Sequence, residues 1–281
     1  MSARRRICLL LLIAITVASA ARAQEPKELL SLDDFLEWEE VENPLISPDG
    51  QQIIYTRKSV DAITDRWRSE LRIVNADGTQ DRFLVNGAWV AWSPDGTRIA
   101  YTAPGEPRGR QIFVRLMDGA GTTTQITHVE HTPWLPRWSP DGESIAFAIS
   151  TPRPREPWDL EMPSPPPDAN WVAAPRVEGV GYPRGEFDHM YVVSADGGTP
   201  RALTEGAWWY DYPEWSRDGS TLFVSGEPAS PSGHLEIYAI DMASREARRL
   251  TSHRGWAGRP KVSPDGRLVA YLVRAARTTP R

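Results

Sequence analysis

One four-residue corner limits this chain more than anything else in it. Ser47-Pro48-Asp49-Gly50 returns as Ser93-Pro94-Asp95-Gly96, Ser139-Pro140-Asp141-Gly142, Ser216-Arg217-Asp218-Gly219 and Ser263-Pro264-Asp265-Gly266. Successive copies lie 46, 46, 77 and 47 residues apart. A repeat of this period points to a stacked or radial array of small units. The long step is one period plus an insertion of about thirty residues, which the slow growth of loop-closure entropy tolerates.

The tetrad is turn chemistry. Proline presets φ at the first central position, aspartate accepts hydrogen bonds from the nearby backbone, and glycine takes the positive φ that closes a hairpin. A short strand with a bulky apolar residue precedes it: Trp92, Trp138 and Trp215, with Ile46 and Val262 at the same place. A second strand follows. Its apolar residues stand at Ile53, Ile99, Ile145, Leu222 and Val269, then two further on at Tyr55, Tyr101, Phe147, Val224 and Tyr271. The residues between, Ile54, Ala100, Ala146, Phe223 and Ala270, are apolar too, so both faces are expected to be buried. Third strands are read at Leu71–Val74, Ile112–Val114, Met190–Val193 and Ile237–Ile240. Fourth strands end near Leu84, Ile126-Thr127, Leu203-Thr204 and Leu250-Thr251.

Four strands per period make a β-propeller blade, a twisted sheet that hides its faces by stacking on its neighbours. The expected fold is therefore all-β, with about four and a half blades and an incomplete ring. The blades are read over residues 41–87, 88–131, 132–206 and 207–254, with a half blade at 255–281. Helical solenoids share the period, but the apolar spacing here is not helical.

The N-terminus reads as a signal peptide over residues 1–23. Arg4, Arg5 and Arg6 precede an apolar run from Ile7 to Val17, and small residues at Ala18-Ser19-Ala20 and Ala21-Arg22-Ala23 offer cleavage points. The run is too short to span a bilayer, so the expectation is export to the periplasm or outside, with no membrane span after cleavage. Cys8, the single cysteine, falls in this segment, so a cleaved chain holds no disulfide and no thiolate site. Formal net charge is −5 over all 281 residues, and cleavage would remove four arginines and no acid. An acidic chain with scattered cations argues against nucleic acid as a partner. Residues 24–40 form a short lead-in. Within it Ser31-Leu32-Asp33-Asp34 reads as a capping box opening a helix that Leu32, Phe35 and Leu36 would pack down.

The pattern resembles the TolB-like propeller repeat. More closely, Leu30 to Tyr271 is similar to the N-terminal propeller of secreted peptidases of the prolyl oligopeptidase family. The resemblance rests on the tetrads, on "IFVRLMDGAGTTTQIT" and "MYVVSADGGTPRALT", and on the lead-in "LDDFLEWEEVENPLISPDG". It implies a propeller that caps an α/β-hydrolase domain and admits only short or unstructured peptides. It implies acyl transfer through a serine of that domain, with no cofactor.

No catalytic, cofactor-binding or metal-binding residue is assigned within this chain. Ser139 is one of five equivalent turn serines, and a nucleophile needs a base, an orienting acid and an oxyanion hole around it. The elbow G-x-S-x-G is absent from the sequence. His128-Val129-Glu130-His131 lacks the spacing of two histidines one helical turn apart and reads as a solvated loop. Asp118 to Thr124, "DGAGTTT", has no lysine and no following helix, so it reads as a hairpin turn and not a phosphate cradle.

Two insertions stand out. Thr151 to Glu186 carries nine prolines with Trp158 and Trp171. It reads either as an extended polyproline-like loop or as a lip that touches substrate or a catalytic domain. Lys58 to Glu70 carries Asp61, Asp65, Arg66, Trp67 and Arg68 but no paired-glutamate motif of the sort related dipeptidyl peptidases use to hold an amino terminus. Surface contacts are its expected role.

The fifth unit runs only to its second strand and then to the basic tail "RAARTTPR". The expectation is a fragment whose partner is a missing C-terminal hydrolase domain. Two functions fit: the gating or docking propeller of an exported peptidase acting on short peptides, or a TolB-like envelope module that binds proteins and catalyses nothing.

Overall fold

The computed structural model describes Asp34 and residues 37–64, 66–152, 186–228, 234–253 and 255–275. The expected signal peptide, almost all of the lead-in helix and nearly all of the proline-rich insertion lie outside the described residues. The chain divides into two compact units. One comprises Met1–Glu39 with Ser59–Trp67, the other Glu40–Lys58 with Arg68–Arg281. In the first, the Asp61 carboxylate accepts the N–H groups of Ile63 and Thr64 at 3.1 and 3.0 Å and closes a tight turn. Nearly all of the strand residues belong to the second.

Among the described residues, every regular element of this second unit is a strand, and the strands come in meanders. The first blade is β1 (Glu39–Ile46), β2 (Gln52–Asp61), β3 (Arg66–Asn75) and β4 (Arg82–Asn86), hydrogen-bonded in that order. The second is β5 (Ala88–Trp92), β6 (Arg98–Pro104), β7 (Arg110–Leu116) and β8 (Thr123–Gln125). The third is β9 (Pro133–Trp138), β10 (Ser144–Pro152), β11 (Glu186–Ser194) and β12 (Arg201–Ala202), and the fourth β13 (Trp208–Trp215), β14 (Thr221–Pro228), β15 (Glu236–Asp241) and β16 (Ala247–Arg249). These two are bridged by a single parallel pairing of Asp188 with Trp209. A hairpin, β17 (Gly255–Val262) and β18 (Val269–Ala275), follows. The segment 58–70, singled out in the sequence as an insertion, is strand on both sides, an extension of β2 and β3.

The second strand of each blade explains why its apolar residues run without a gap. In β10, Ile145, Phe147 and Ile149 pack with Ala91, Ala100, Ile112 and Val114 of the second blade. The alternate residues Ala146 and Ala148 pack with Tyr210, Trp215, Leu222 and Val224 of the fourth. β6 repeats the scheme: Ile99, Tyr101 and Ala103 meet Ile54, Leu71 and Ile73 of the first blade, while Ala100 joins the third. In β6 and β10 the large side chains thus point back to the preceding blade while Ala100, Ala146 and Ala148 point forward, which lets neighbouring sheets interdigitate closely. Fully burying one such large side chain contributes on the order of 1.5–3 kcal/mol.

Polar links repeat at the same interfaces. The Trp92 indole N–H donates to the Leu45 carbonyl, Trp138 to that of Ala91 and Trp215 to that of Arg137, at 3.3, 3.1 and 3.1 Å. Each tryptophan before a tetrad therefore ties its blade to the first strand of the blade before it. Within a blade, a threonine just past the fourth strand ties that strand to the third. The hydroxyls of Thr127, Thr204 and Thr251 accept the N–H groups of Ile112, Met190 and Ile237 at 2.8, 3.0 and 2.9 Å. Behind each threonine sits a buried polar partner: Gln111, His189 or Glu236. The first blade has no threonine at that point. It carries instead an ion network in which Arg72 bonds Asp81 at 2.9 Å and Glu70 at 3.2 Å.

Candidate functional site

Each tetrad is a closed hydrogen-bonded corner. The serine hydroxyl donates to the aspartate carboxylate two residues on, at 2.5–2.6 Å in all five copies. The same oxygen accepts the N–H five residues on, at 2.9–3.0 Å. The aspartate also accepts the N–H two residues beyond itself, at 3.0–3.1 Å. Glycine closes the turn at φ between 71 and 73°. Each serine hydroxyl and then each backbone N–H hold the carboxylates below their ordinary pKa, to about 2 for Asp95 and Asp218.

Ser139 follows this rule. It is 3% exposed, its proton is directed at Asp141, and its oxygen receives the Ser144 N–H. An acid that holds the hydroxyl proton in a turn lowers the acid's own pKa; it does not activate the oxygen for attack. Neighbouring corners also touch. Cβ atoms added at Gly96, Gly142 and Gly219 would stand 3.5, 3.7 and 3.8 Å from Pro48, Pro94 and Pro140 of the preceding tetrads. The corners are a girdle of blade-to-blade contacts.

The remaining sequence candidates lie apart from one another. His128 and His131 sit on the loop from β8 to β9, where the Gln111 amide clasps the Val129 backbone and Glu130 pairs with Arg108 at 2.7 Å. Asp118 caps a hairpin turn by accepting the Gly121 N–H at 2.8 Å.

A different set of positions converges, four residues before each tetrad. Asn43, Trp89, Leu135, Tyr212 and Arg259 all take the left-handed conformation, with φ between 50 and 57°. For a residue other than glycine this costs about 1 kcal/mol or more. In the last four copies it coincides with a register shift, so each of those first strands bulges at this point. The five residues share no chemistry, and all five line one cavity of about 850 Å³. That volume falls in the range of ligand sites. Trp89 lies 6.2 Å from Trp134 and is 38% exposed, whereas Leu135 is 3% exposed. Arg259 is held by its own N–H, which donates to the Ser225 hydroxyl at 3.1 Å.

Reading the sequence alone does not find these positions, because five unlike side chains carry no compositional repeat. Two signals do mark them: a fixed offset from the serine, and a proline directly after Asn43, Leu135, Tyr212 and Arg259.

Comparison with known proteins agrees with this architecture. Residues 178–278 match the family described as the dipeptidyl peptidase IV (DPP IV) N-terminal region. The uncharacterized peptidase YuxL of Bacillus subtilis is 28% identical over 256 residues, covering 90% of this chain and 32% of the relative. The Tol-Pal system protein TolB of Gluconobacter oxydans is 30% identical over 209 residues, covering 73% of this chain and 36% of the relative. Among solved structures, Pyrococcus horikoshii acylaminoacyl peptidase superposes with a TM-score of 0.54 at 16% identity, covering 78% of this chain and 33% of that one. The chain thus spans about a third of the length of the curated relatives named here. It is a propeller region like those N-terminal in peptidases of the prolyl oligopeptidase family, with TolB-like relatives as well.

Proposed function

We propose that this chain is the gating and docking propeller of an exported prolyl oligopeptidase-like serine peptidase that acts on short peptides, and that it does not itself catalyse. The observation that carries the reading is the cavity. First strands from successive blades offer it five unlike side chains on one strained backbone conformation, a form suited to selecting what enters rather than to breaking bonds. Acyl transfer would belong to a hydrolase domain, since the tetrad serines are turn residues whose aspartate partners, with lowered pKa, are weak bases. Export rests on the sequence of residues 1–23, and the domain limits read from the repeat stand as part of the same proposal. Among the described residues no helix is long and apolar enough to cross a membrane.

The test is hydrolysis of dipeptidyl and acyl-aminoacyl chromogenic substrates by the purified chain. No turnover above a no-protein blank is expected, and robust turnover overturns the proposal.

The 30% identity to TolB favours a second reading, an envelope propeller that binds protein and never served a peptidase. A hydrolase domain supplied in trans separates the two. Binding to this chain, with narrower peptide-length selectivity, supports the gate; no association at high micromolar concentration supports the binding module.

A further inference from the structure

Five cationic side chains line the cavity of a chain that is acidic overall. Two are neutralised nearby: Lys58 by Glu42 at 2.8 Å and Lys261 by Glu214 at 2.7 Å. Arg259 lies 4.8 Å above the Tyr212 ring and donates to its hydroxyl at 3.0 Å. Arg110 and Arg137 are different. Among the described residues, neither has a carboxylate within 4.0 Å.

Arg110 donates to the carbonyl and hydroxyl of Thr102 at 3.0 and 3.3 Å, and Arg137 to the Pro136 carbonyl at 3.0 Å. Both are half-buried, and desolvation pushes both guanidinium pKa values down, with the Glu214 charge opposing the shift at Arg137. On the same wall Thr56 is 2% exposed, and its hydroxyl has no hydrogen-bond partner among the described residues.

Cations removed from water without a carboxylate in contact are costly, and sequences keep such violations mainly where function demands them. A guanidinium fork matches a carboxylate in two parallel N–H···O bonds. Lysine would offer only a point charge. The same cavity is lined by the aromatic rings of Trp89 and Tyr212, Trp89 being 38% exposed. A bare inorganic anion has no use for these, whereas an organic acid with an apolar neighbour does.

We infer that this cavity is a carboxylate-binding site, taking the free C-terminus of a short peptide whose last side chain is apolar. Arg110 and Arg137 hold the anion, and the aromatic surfaces of Trp89 and Tyr212 take the side chain. The inference rests on the peptide-handling function proposed for the chain and names the ligand end that the gate selects.

The test is calorimetric titration of the full chain with acetyl-Ala-Ala-Leu bearing a free carboxylate, and with the same peptide as its C-terminal amide. The acid is expected to bind at least about tenfold more tightly than the amide, with the preference shrinking as salt rises. Arg137→Met is expected to abolish the preference and Arg137→Lys to keep part of it; circular dichroism checks that both variants fold. Equal binding of acid and amide overturns the carboxylate site and leaves the gate standing. Failure of both peptides to bind overturns the site, while the gate is judged separately by association with the hydrolase domain. Binding of inorganic phosphate in place of the acid overturns the choice of carboxylate alone.

Discussion

Two sets of equivalent positions, four residues apart in the chain, have opposite characters. At the tetrads the side chains repeat: serine, aspartate and glycine recur five times with the same hydrogen bonds to within a few tenths of an ångström. At the bulges the backbone repeats while the side chains do not: asparagine, tryptophan, leucine, tyrosine and arginine all stand at φ between 50 and 57°. Repetition of side chains marks scaffolding, because every blade meets the same packing problem at its corner. Repetition of a strained backbone beneath changing side chains marks a surface where each blade says something different. The cavity lies at the second set.

The largest expected effect comes from a residue that lies between the two regions in the chain. Trp138 packs between blades and donates across to the Ala91 carbonyl next to a bulge. Trp138→Ala should cost about 3–5 kcal/mol, read from urea unfolding. A loss well under that would mean the blades are not held by this contact. Ser139→Ala comes next. It leaves the part-buried Ser144 N–H without its acceptor and should cost about 1–3 kcal/mol. Gly142→Ala forces a methyl group into the left-handed region and should cost about 1–2 kcal/mol.

The smallest effect is electrostatic. Asp95 is held at about 2 in the folded chain, against about 3.9 for an unperturbed aspartate. Its contribution to stability is complete above the unfolded value and is lost as the pH falls toward 2. Melting temperature should therefore fall between pH 4 and pH 2, and Asp95→Asn should flatten part of that slope while lowering stability at neutral pH. An unchanged slope would make the corner hydrogen bonds incidental and remove the distinction between corner and bulge.

Much of the scaffold was legible because turn chemistry is local. Proline, aspartate and glycine announce a corner wherever they stand together, and an unbroken apolar run after it announces a strand buried on both faces. The threonine clasps were half visible. Thr127, Thr204 and Thr251 stood out as strand ends, but a threonine in a strand is ordinary, and only the fold shows each hydroxyl receiving the neighbouring strand's N–H. The cavity was hidden for a deeper reason. Arg110 and Arg137 are distant in the chain and unremarkable in type, and the absence of a carboxylate in contact with either, among the described residues, is a fact of three dimensions. Sequence lists the charges of a chain; it does not pair them.

The division between scaffold and recognition surface can be probed with urea unfolding midpoints for two neighbouring variants. Ser139→Ala should lower the midpoint clearly. Arg137→Met, two residues away, should leave it unchanged or raise it, because it replaces a half-buried cation that touches no carboxylate with an apolar side chain. A drop for Arg137→Met as large as that for Ser139→Ala, or a neutral Ser139→Ala, would erase that division.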